Sequence, residues 1–276
     1  MNLAPSSIEY DSAAGRLSPL GDLLELLRYR DLLQMMVINI IKIRYKRSAL
    51  GVLWSLLNPL LNMAVLSIAF SNLFRVSLTD YPIYVLSGLI AWNFFSQTTT
   101  FAMNAVVWGG HLLKRIYLPR TIFCVASIGH GLVNLGLALL PLLGIVLLLR
   151  HSVYVTWLFL PVAVLLLSMF ALGVALLVSA LAVFFTDVVD IYQVLLQAAF
   201  FLTPVMYPKD ILPAQYGWIT RFNPMYHLLE LFRAPIYDGR LPEPLTLLVA
   251  VGSAVGALLV GWWIYTRKAE EFVYRI

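Results

Sequence analysis

The sequence predicts an all-α membrane protein with six transmembrane helices, an N-terminal amphipathic interface helix and two short re-entrant outer helices before the last span. Hydrophobic residues make up 61% of the 276 residues and charged residues 12%, whereas an average soluble domain is about one quarter charged. The mean hydropathy of +0.85 agrees with a membrane protein. Six apolar runs approach or exceed the roughly 20 residues that cross hydrocarbon. They cover residues 50–74, 83–107, 122–149, 155–185, 194–207 and 245–265.

The N-terminal part is predicted to form a flexible lead over residues 1–21 and an amphipathic helix in the membrane interface over residues 22–47. The lead has no basic region followed by an apolar run, so it does not read as a cleaved signal peptide. In the second segment, polar residues recur at helical spacing among Leu, Ile, Met and Val. They are Asp22, Glu25, Arg28, Asp31, Asn39, Lys42 and Lys46. The alternative is an additional span, which the charges disfavour because each is costly to insert.

Lys and Arg residues predict the orientation of the spans. With both ends in the cytoplasm, 13 of the 19 basic residues lie on that side and 6 lie outside, in agreement with the positive-inside rule. Arg44, Lys46 and Arg47 stand directly before the first span. We expect them to anchor its entrance to anionic lipid headgroups.

The first span, residues 50–74, is interrupted by Asn58-Pro59 and Asn62. Pro59 removes a backbone donor and kinks the helix, and the Asn amides need partners. Either this face points at protein or water instead of lipid, or the Asn side chains make hydrogen bonds that pack one helix on another.

Aromatic residues are plentiful in the first two spans, and their rings stack on the apolar faces of sugars or sit in the belts at the two membrane interfaces. Tyr81, Tyr84 and Trp108 lie near predicted span ends, which favours the belts. A position deeper in the second span leaves a pore-lining role open for Trp92, Phe94 and Phe95. The candidate channel residues are therefore Trp54, Asn58, Asn62, Trp92, Phe94 and Phe95.

Two connections are distinctive. In the connection of residues 109–120, Gly109-Gly110 is predicted to end one helix and Pro119 to approach the next, with a short helix carrying Lys114 and Arg115 between them. That helix is either a contact for a partner or an ordinary basic loop. The fifth span is short before Pro208, so we expect it to begin nearer Val188.

The outer loop, residues 208–244, is rich in Pro and aromatic residues. We predict short helices over 213–222 and 224–234, with Asn223-Pro224 starting the second. Glu230 and Arg233 are three residues apart, a spacing that allows an ion pair on one helix face. The alternative is a surface loop held by interfacial aromatics.

Several kinds of chemistry lack their motifs here. The sequence contains no GxxxxGK[ST] phosphate-binding loop, no HExxH and no GxSxG, so no catalytic residue and no metal site is predicted. The single Cys124 excludes a disulfide framework. His130 lies deep in a span, where a lone histidine usually makes a hydrogen bond between helices.

Five segments, in this order, resemble the type-2 ABC exporter permeases, in particular the branch that exports polysaccharides such as O-antigen, capsule and teichoic acid chains. The segments are RYKRSALGVLWSLLNPLL, LLKRIYLPR, FFLTPVMYP, FNPMYHLLELFR and AEEFVYRI. The resemblance implies a six-span domain over residues 48–266 with a cytoplasmic tail over 267–276, in a bacterial cytoplasmic membrane with both termini inside. It also implies a homodimer with two separate ATP-hydrolysing subunits.

The same resemblance implies roles for particular residues. The substrate is expected to be a long glycan on a lipid diphosphate, entering beside Arg44, Lys46 and Arg47. This chain is expected to hold no cofactor, since ATP and magnesium are bound by the partner subunit. Coupling to that subunit is expected at His111, Leu112, Lys114, Arg115, Tyr117 and Arg120. The outer gate is expected at Tyr207, Trp218, Phe222, Tyr226, Glu230 and Arg233.

Two rival functions remain open from the sequence. One is a permease of the same family that exports a drug or a small lipid. Such a permease is expected to have an apolar pocket, whereas a glycan exporter is expected to have a pore lined by aromatic and polar groups. The other is a membrane-embedded enzyme acting on lipid-linked sugars, which needs paired carboxylates or an Arg/His cluster in one large outer loop. Asp210, Glu230, Asp238 and Glu243 lie in the outer loop but show no catalytic spacing.

Overall fold

The computed structural model describes residues 28–46, 50–51, 53–70, 81–113, 121–208 and 213–275, together with Gly21 and Ile211. These residues form helices and no strand, which confirms the predicted all-α class. The helices are α1 (Arg30–Tyr45), α2 (Leu53–Phe70), α3 (Tyr81–Leu113), α4 (Ile122–Leu148), α5 (Leu160–Phe184), α6 (Val188–Leu202), α7 (Gly217–Phe222), α8 (Pro224–Arg233) and α9 (Pro244–Arg275). A 3₁₀ turn, Val155–Phe159, leads into α5, and a π-helical turn, Ala234–Asp238, follows α8.

Four stretches of the described chain are long and apolar enough to cross a membrane. They are Leu53–Phe70, Ile122–Leu148, Val155–Phe184 and Pro244–Lys268. Helix α6 is apolar but has 15 residues, and it begins at Val188 as predicted. Helix α3 has 33 residues, about 50 Å at 1.5 Å per residue, which exceeds the hydrocarbon thickness. The protein is therefore a multi-pass membrane protein, and the count of six spans remains a prediction.

Helix α3 runs on to Leu113, so the prediction that Gly109-Gly110 ends the second span is wrong. A glycine inside a helix costs about 1 kcal/mol relative to alanine but does not terminate it. Here Gly109 lets the helix approach a neighbour, since a Cβ at this position would lie 3.3 Å from Cε1 of Phe123 on α4.

The helices alternate in direction, so their ends gather at two ends of the bundle. At one end, Cys124 near the start of α4 meets Ser179 near the end of α5, with Sγ and Oγ 3.7 Å apart. At the other, Tyr81 at the start of α3 meets Met206 just after α6. We call the first the α1 end, because α1 leads into it, and the second the α8 end.

Close backbone contact joins α5 and α9, the most extensively packed pair of helices. A Cβ built on Gly261 would lie 2.8 Å from the carbonyl carbon of Gly173, and one built on Gly173 would collide with the backbone of Ala257. Small residues allow this approach, which is typical of helix pairs in membranes.

Helix α1 packs against α4, where a Cβ on Gly129 would lie 2.9 Å from Cγ2 of Val37. Its other face exposes Met35 and Ile38. Helix α2 packs on α3 and α4. Helices α1 to α4 therefore surround one region of the bundle, and that region contains a cavity.

Candidate functional site

A cavity of about 580 Å³ lies between α1, α2, α3 and α4. Its polar lining residues are Ser55, Asn58, Asn93, Gln97, Thr98, His130 and Asn134. Its aromatic lining residues are Trp54, Phe94 and Phe101. Among the described residues that line it, none is Asp, Glu, Lys or Arg. The cavity therefore offers hydrogen bonds and ring faces without a formal charge.

Helical spacing brings these polar groups together. Asn93 and Gln97 are four residues apart on α3, and His130 and Asn134 are four apart on α4, so each pair shares one helix face. Nδ2 of Asn134 lies 3.1 Å from Nε2 of His130. The predicted hydrogen bond of His130 was to another helix, whereas this contact is with a residue of its own helix. Gly131 lets α3 approach, since a Cβ there would lie 3.1 Å from Cε2 of Phe94.

The two asparagines of α2 are paired with each other. Nδ2 of Asn62 donates to Oδ1 of Asn58 at 2.6 Å and to its carbonyl oxygen at 3.0 Å. Asn58 lines the cavity, whereas Asn62 lies outside it and is exposed. These hydrogen bonds lie within one helix and do not join two helices. The position of Asn58 therefore agrees with the first alternative, a face of α2 that points at protein or water instead of lipid.

The six candidate channel residues separate into groups. Trp54, Asn58 and Phe94 line the cavity. Trp92 and Phe95 are 5% and 7% exposed and lie in the aromatic core, where Trp92 contacts Phe200 with ring centroids 5.5 Å apart. A channel role for these residues remains a prediction, and this structure gives Trp92 and Phe95 a packing role.

A second notable region is the irregular segment of residues 203–207, which follows α6 at the α8 end. Arg233 is 3% exposed and points its guanidinium at this segment. Its Nη1 donates to the Pro204 carbonyl at 2.8 Å and to the Tyr84 hydroxyl at 2.7 Å, and Nη2 donates to the Val205 carbonyl at 2.7 Å. One side chain therefore satisfies two successive carbonyls that helix α6 no longer reaches.

Two tyrosines satisfy the next two carbonyls. The Tyr81 hydroxyl donates to Met206 at 2.6 Å, and the Tyr84 hydroxyl donates to Tyr207 at 3.0 Å. Four successive carbonyls, from residue 204 to residue 207, thus accept hydrogen bonds from side chains. Such satisfaction is what allows irregular backbone to lie within a membrane protein. We call these carbonyls, with Arg233, Tyr81 and Tyr84, the carbonyl clasp.

Two outcomes in the carbonyl clasp differ from expectation. Tyr81 and Tyr84, predicted for an aromatic belt, lie inside the protein as donors, whereas Trp108 is 76% exposed. The predicted pairing of Glu230 with Arg233 is wrong. Arg233 turns inward to the carbonyls, and Oε1 of Glu230 instead accepts from Nη2 of Arg240 at 2.9 Å.

Asn223 links the carbonyl clasp to α8. Its Oδ1 accepts from the backbone N–H of Met225 at 3.0 Å, so it caps the helix as the Asn223-Pro224 pair predicts. Its Nδ2 donates to Oγ1 of Thr203 at 2.9 Å. The two short helices predicted over 213–222 and 224–234 are confirmed as α7, preceded by a short 3₁₀ turn, and α8. Their position on the outer side remains a prediction.

The remaining outer-gate candidates differ in exposure. Trp218 and Phe222 are 60% and 77% exposed, while Tyr226 is buried. The Tyr207 hydroxyl donates to the carbonyl of Phe201 at 2.9 Å. Burial, reinforced by the Glu230 carboxylate, raises the pKa of the Tyr226 phenol above its ordinary value. The role of these residues as a gate remains a prediction.

Arg240 forms the centre of an ion-pair group on the outer loop. Its partners are Glu230, Asp238 at 3.0 Å and Glu243 at 3.8 Å. Burial disfavours its charge, but the carboxylates of Asp238 and Glu230 outweigh that effect and raise its pKa above the ordinary value. Arg240 is 41% exposed, so these pairs contribute little stability.

Several residues of the predicted lipid-entry and coupling sites lie at the ends of helices or outside the described residues. Lys46 is exposed just after α1, Arg44 lies within α1, and Arg47 is outside the described residues. His111 and Leu112 belong to the last turn of α3, and the other coupling residues, Lys114, Arg115, Tyr117 and Arg120, are outside the described residues. A search of the described residues for groups of three or more metal ligands finds none.

The sequence patterns did not single out Ser55, Thr98, Phe101 or the amides Asn93, Gln97 and Asn134 of the cavity. Their signal is the recurrence of amide side chains four residues apart within apolar helices, at Asn93 with Gln97 and at Asn58 with Asn62. Tyr81 was recognised as an aromatic but not as a donor, because its acceptor lies 125 residues away.

Known proteins similar to this chain are transport proteins. An O-antigen export system permease protein, RfbA, from Myxococcus xanthus is 33% identical over 91% of this chain and 98% of its own length. A protein of that name from Klebsiella pneumoniae is 24% identical over 88% and 93%. The polysialic acid transport protein KpsM of Escherichia coli is 22% identical over 84% and 92%. Residues 31–237 match the family model described as ABC-2 type transporter. The all-helical membrane architecture agrees with this match, and the chain belongs to the ABC-2 type transporter family.

Proposed function

We propose that this chain is the transmembrane subunit of an ATP-driven exporter that moves lipid-linked polysaccharide across the cytoplasmic membrane. The observation that carries the proposal is the similarity, over nearly the full length of each chain, to permeases named for O-antigen export. The uncharged polar and aromatic lining of the cavity supports a substrate rich in hydroxyl groups.

The same lining argues against the rival cargo. A drug or small lipid favours an apolar pocket. This cavity has an apolar part, formed by residues such as Ile40, Ile90 and Leu135, but it also carries amides, among them Asn93 and Gln97. An apolar ligand that displaces water from the Asn93 and Gln97 amides leaves their lost hydration unreplaced, which is costly in a low-dielectric site. The polysaccharide is therefore the preferred cargo in this proposal.

The proposed assembly is a homodimer with two ATP-binding subunits, which hold ATP and magnesium. A stripe on α6 supports a second copy of the chain. Asp190, Gln193 and Gln197 recur at helical spacing and are exposed. Glutamine side chains in an apolar helix are unfavourable against lipid. In the proposed dimer this stripe faces the partner copy or the channel that the two copies enclose.

In the proposed orientation the α1 end and both termini lie in the cytoplasm and the α8 end lies outside. The distribution of Lys and Arg supports this arrangement. Exposed Lys42 and Lys46 on α1 then lie near anionic headgroups, beside the entrance for a lipid diphosphate. The carbonyl clasp then stabilises the outer gate.

The test is ATP turnover in lipid by this chain together with a candidate ATP-binding subunit from the same organism. Turnover that requires this chain and rises with lipid-linked polysaccharide supports the proposal. A complex that responds to a small lipid or drug and not to polysaccharide favours the rival cargo. If the two proteins form no complex, the exporter proposal fails and a membrane-embedded enzyme becomes the better interpretation.

Reversing the charge of Lys114 and Arg115 by K114E and R115E is expected to remove most of the co-purified ATPase, because these residues are the proposed contact with that subunit. The measurement is the ratio of the two proteins after affinity purification. The matched control is R267E with K268E, an exposed basic pair of α9. An unchanged ratio in the K114E R115E protein would contradict the coupling role.

A further inference from the structure

We infer that the cavity between α1 and α4 binds an uncharged, hydroxyl-rich sugar unit of the transported chain and excludes its anionic carrier group. This inference rests on the proposed function and assigns the cavity one part of that substrate. Three properties of the cavity carry it: the kind of hydrogen-bonding groups, the position of the aromatic rings and the placement of charge.

The hydrogen-bonding groups are matched to hydroxyls. Asn93 and Gln97 each bring a carbonyl oxygen that accepts and an NH₂ group that donates, whereas the amides of Asn58 and Asn134 already hydrogen-bond Asn62 and His130. A sugar hydroxyl also donates and accepts, so an amide satisfies it in either role. A phosphate offers acceptors only, and therefore uses half of each amide.

The rings lie where a sugar face is able to meet them. Trp54 lines the cavity at the start of α2 and is 52% exposed, so its indole is open to a ligand. Phe101 lines the cavity from α3 and is half-buried, whereas Phe94, also on α3, is 5% exposed and belongs to the core. The volume of about 580 Å³ falls within the roughly 300–1,000 Å³ of ligand pockets. One or two sugar units fit a space of this size.

The cavity and the nearby surface of α1 differ in charge, which suits the two parts of the substrate differently. The described lining residues are uncharged, whereas Lys42 and Lys46 lie on exposed positions of α1 near the cavity. An anion inside an uncharged, low-dielectric cavity has no opposite charge to offset its lost hydration. The neutral part of the substrate therefore lies in the cavity, and the diphosphate stays at the basic surface.

A labelling experiment tests the site, because Cys124 is the single cysteine and is buried. I43C places a thiol at the cavity lining, where Ile43 is 67% exposed. M35C is the matched control, since Met35 lies on the same helix, is 65% exposed and does not line the cavity. Both variants are purified as full chains with the ATPase and treated with a maleimide.

Millimolar maltohexaose, a neutral oligosaccharide, is expected to slow labelling of I43C and not of M35C. Hexagalacturonate, which carries a carboxylate on every unit, is expected to leave both rates unchanged. Adding Q97L to I43C should raise the maltohexaose concentration for half-protection about tenfold, the scale of one lost hydrogen bond. Adding Q34L, at an exposed glutamine of α1 that does not line the cavity, should leave it unchanged.

Equal protection by both oligosaccharides, protection of M35C to the same extent, or no protection at all would overturn the inference. The proposed function fails separately. If lipid-linked polysaccharide stimulates ATP turnover while I43C is not protected, the exporter stands and the sugar site falls. If I43C is protected while polysaccharide leaves turnover unchanged, the sugar site stands and the exporter proposal falls.

Discussion

Replacing Arg233 by leucine is expected to abolish export and to lower the free energy of unfolding by about 3–5 kcal/mol. The guanidinium donates to the carbonyls of Pro204 and Val205 and to the Tyr84 hydroxyl, and it lies 3.8 Å from the centroid of the Tyr84 ring. Leucine leaves two buried carbonyls without donors, and their lost hydration is not recovered. The measurements are thermal unfolding of the purified chain and export by cells that carry the variant.

R221L is the matched control, because Arg221 is exposed at the same end and its contact with His227 is made by its backbone carbonyl. R233K should be intermediate, since an ammonium group keeps the charge but does not span two carbonyls as a planar guanidinium does. An R233L protein as stable and as active as R221L would show that the carbonyl clasp is dispensable.

Replacing Gly261 by leucine is expected to separate α5 from α9 and to prevent accumulation of folded protein. A Cβ at Gly261 would collide with the carbonyl oxygen of Gly173 and lie 2.8 Å from its carbon. The colliding atoms belong to the backbone, so no rotamer change relieves the contact. The loss should exceed the roughly 1–3 kcal/mol typical of an overpacked core. The measurement is the yield of monodisperse protein after extraction from the membrane.

G256L is the control for this substitution. Gly256 lies on the same helix, and a Cβ there meets nothing within 4 Å. G256L protein should therefore accumulate as the unsubstituted chain does. If G261L and G256L give the same yield, the α5–α9 contact is not as tight as the structure indicates.

The sequence predicted the features that depend on neighbouring residues. The start of α6 at Val188 follows from the length of apolar chain that a helix needs before Pro208. The start of α8 follows from Asn223-Pro224, since an Asn cap and a proline in the first turn are local signals. Helix content and the helices α1, α7 and α8 are all expressed within short windows of sequence.

Contacts between residues that are far apart in the sequence could not be predicted from local patterns. Glu230 and Arg233 have a favourable spacing for an ion pair on one helix. Arg233 instead donates to the carbonyl of Pro204, which is 29 residues away in the sequence. Those carbonyls need donors because the chain leaves α6 without entering another helix. Considered within their own helix, Trp92 and Phe95 were candidates for lining a pore. In the structure Phe200 packs on Trp92 and Phe170 packs on Phe95, both from other helices.

The polarity of α3 affects how the chain is made. As the nascent chain enters the translocon, α3 emerges before α4 and α5, the helices that bury it. Its central stretch is polar, with Asn93, Ser96, Gln97, Thr98, Thr99 and Thr100 in sequence. By length and composition it is not among the four described helices that are apolar enough to cross a membrane. Polar residues at the centre of a span disfavour its insertion. We therefore expect α3 to integrate only once α4 follows it, so the residues that shape the cavity would also slow the membrane integration of the helix that carries them.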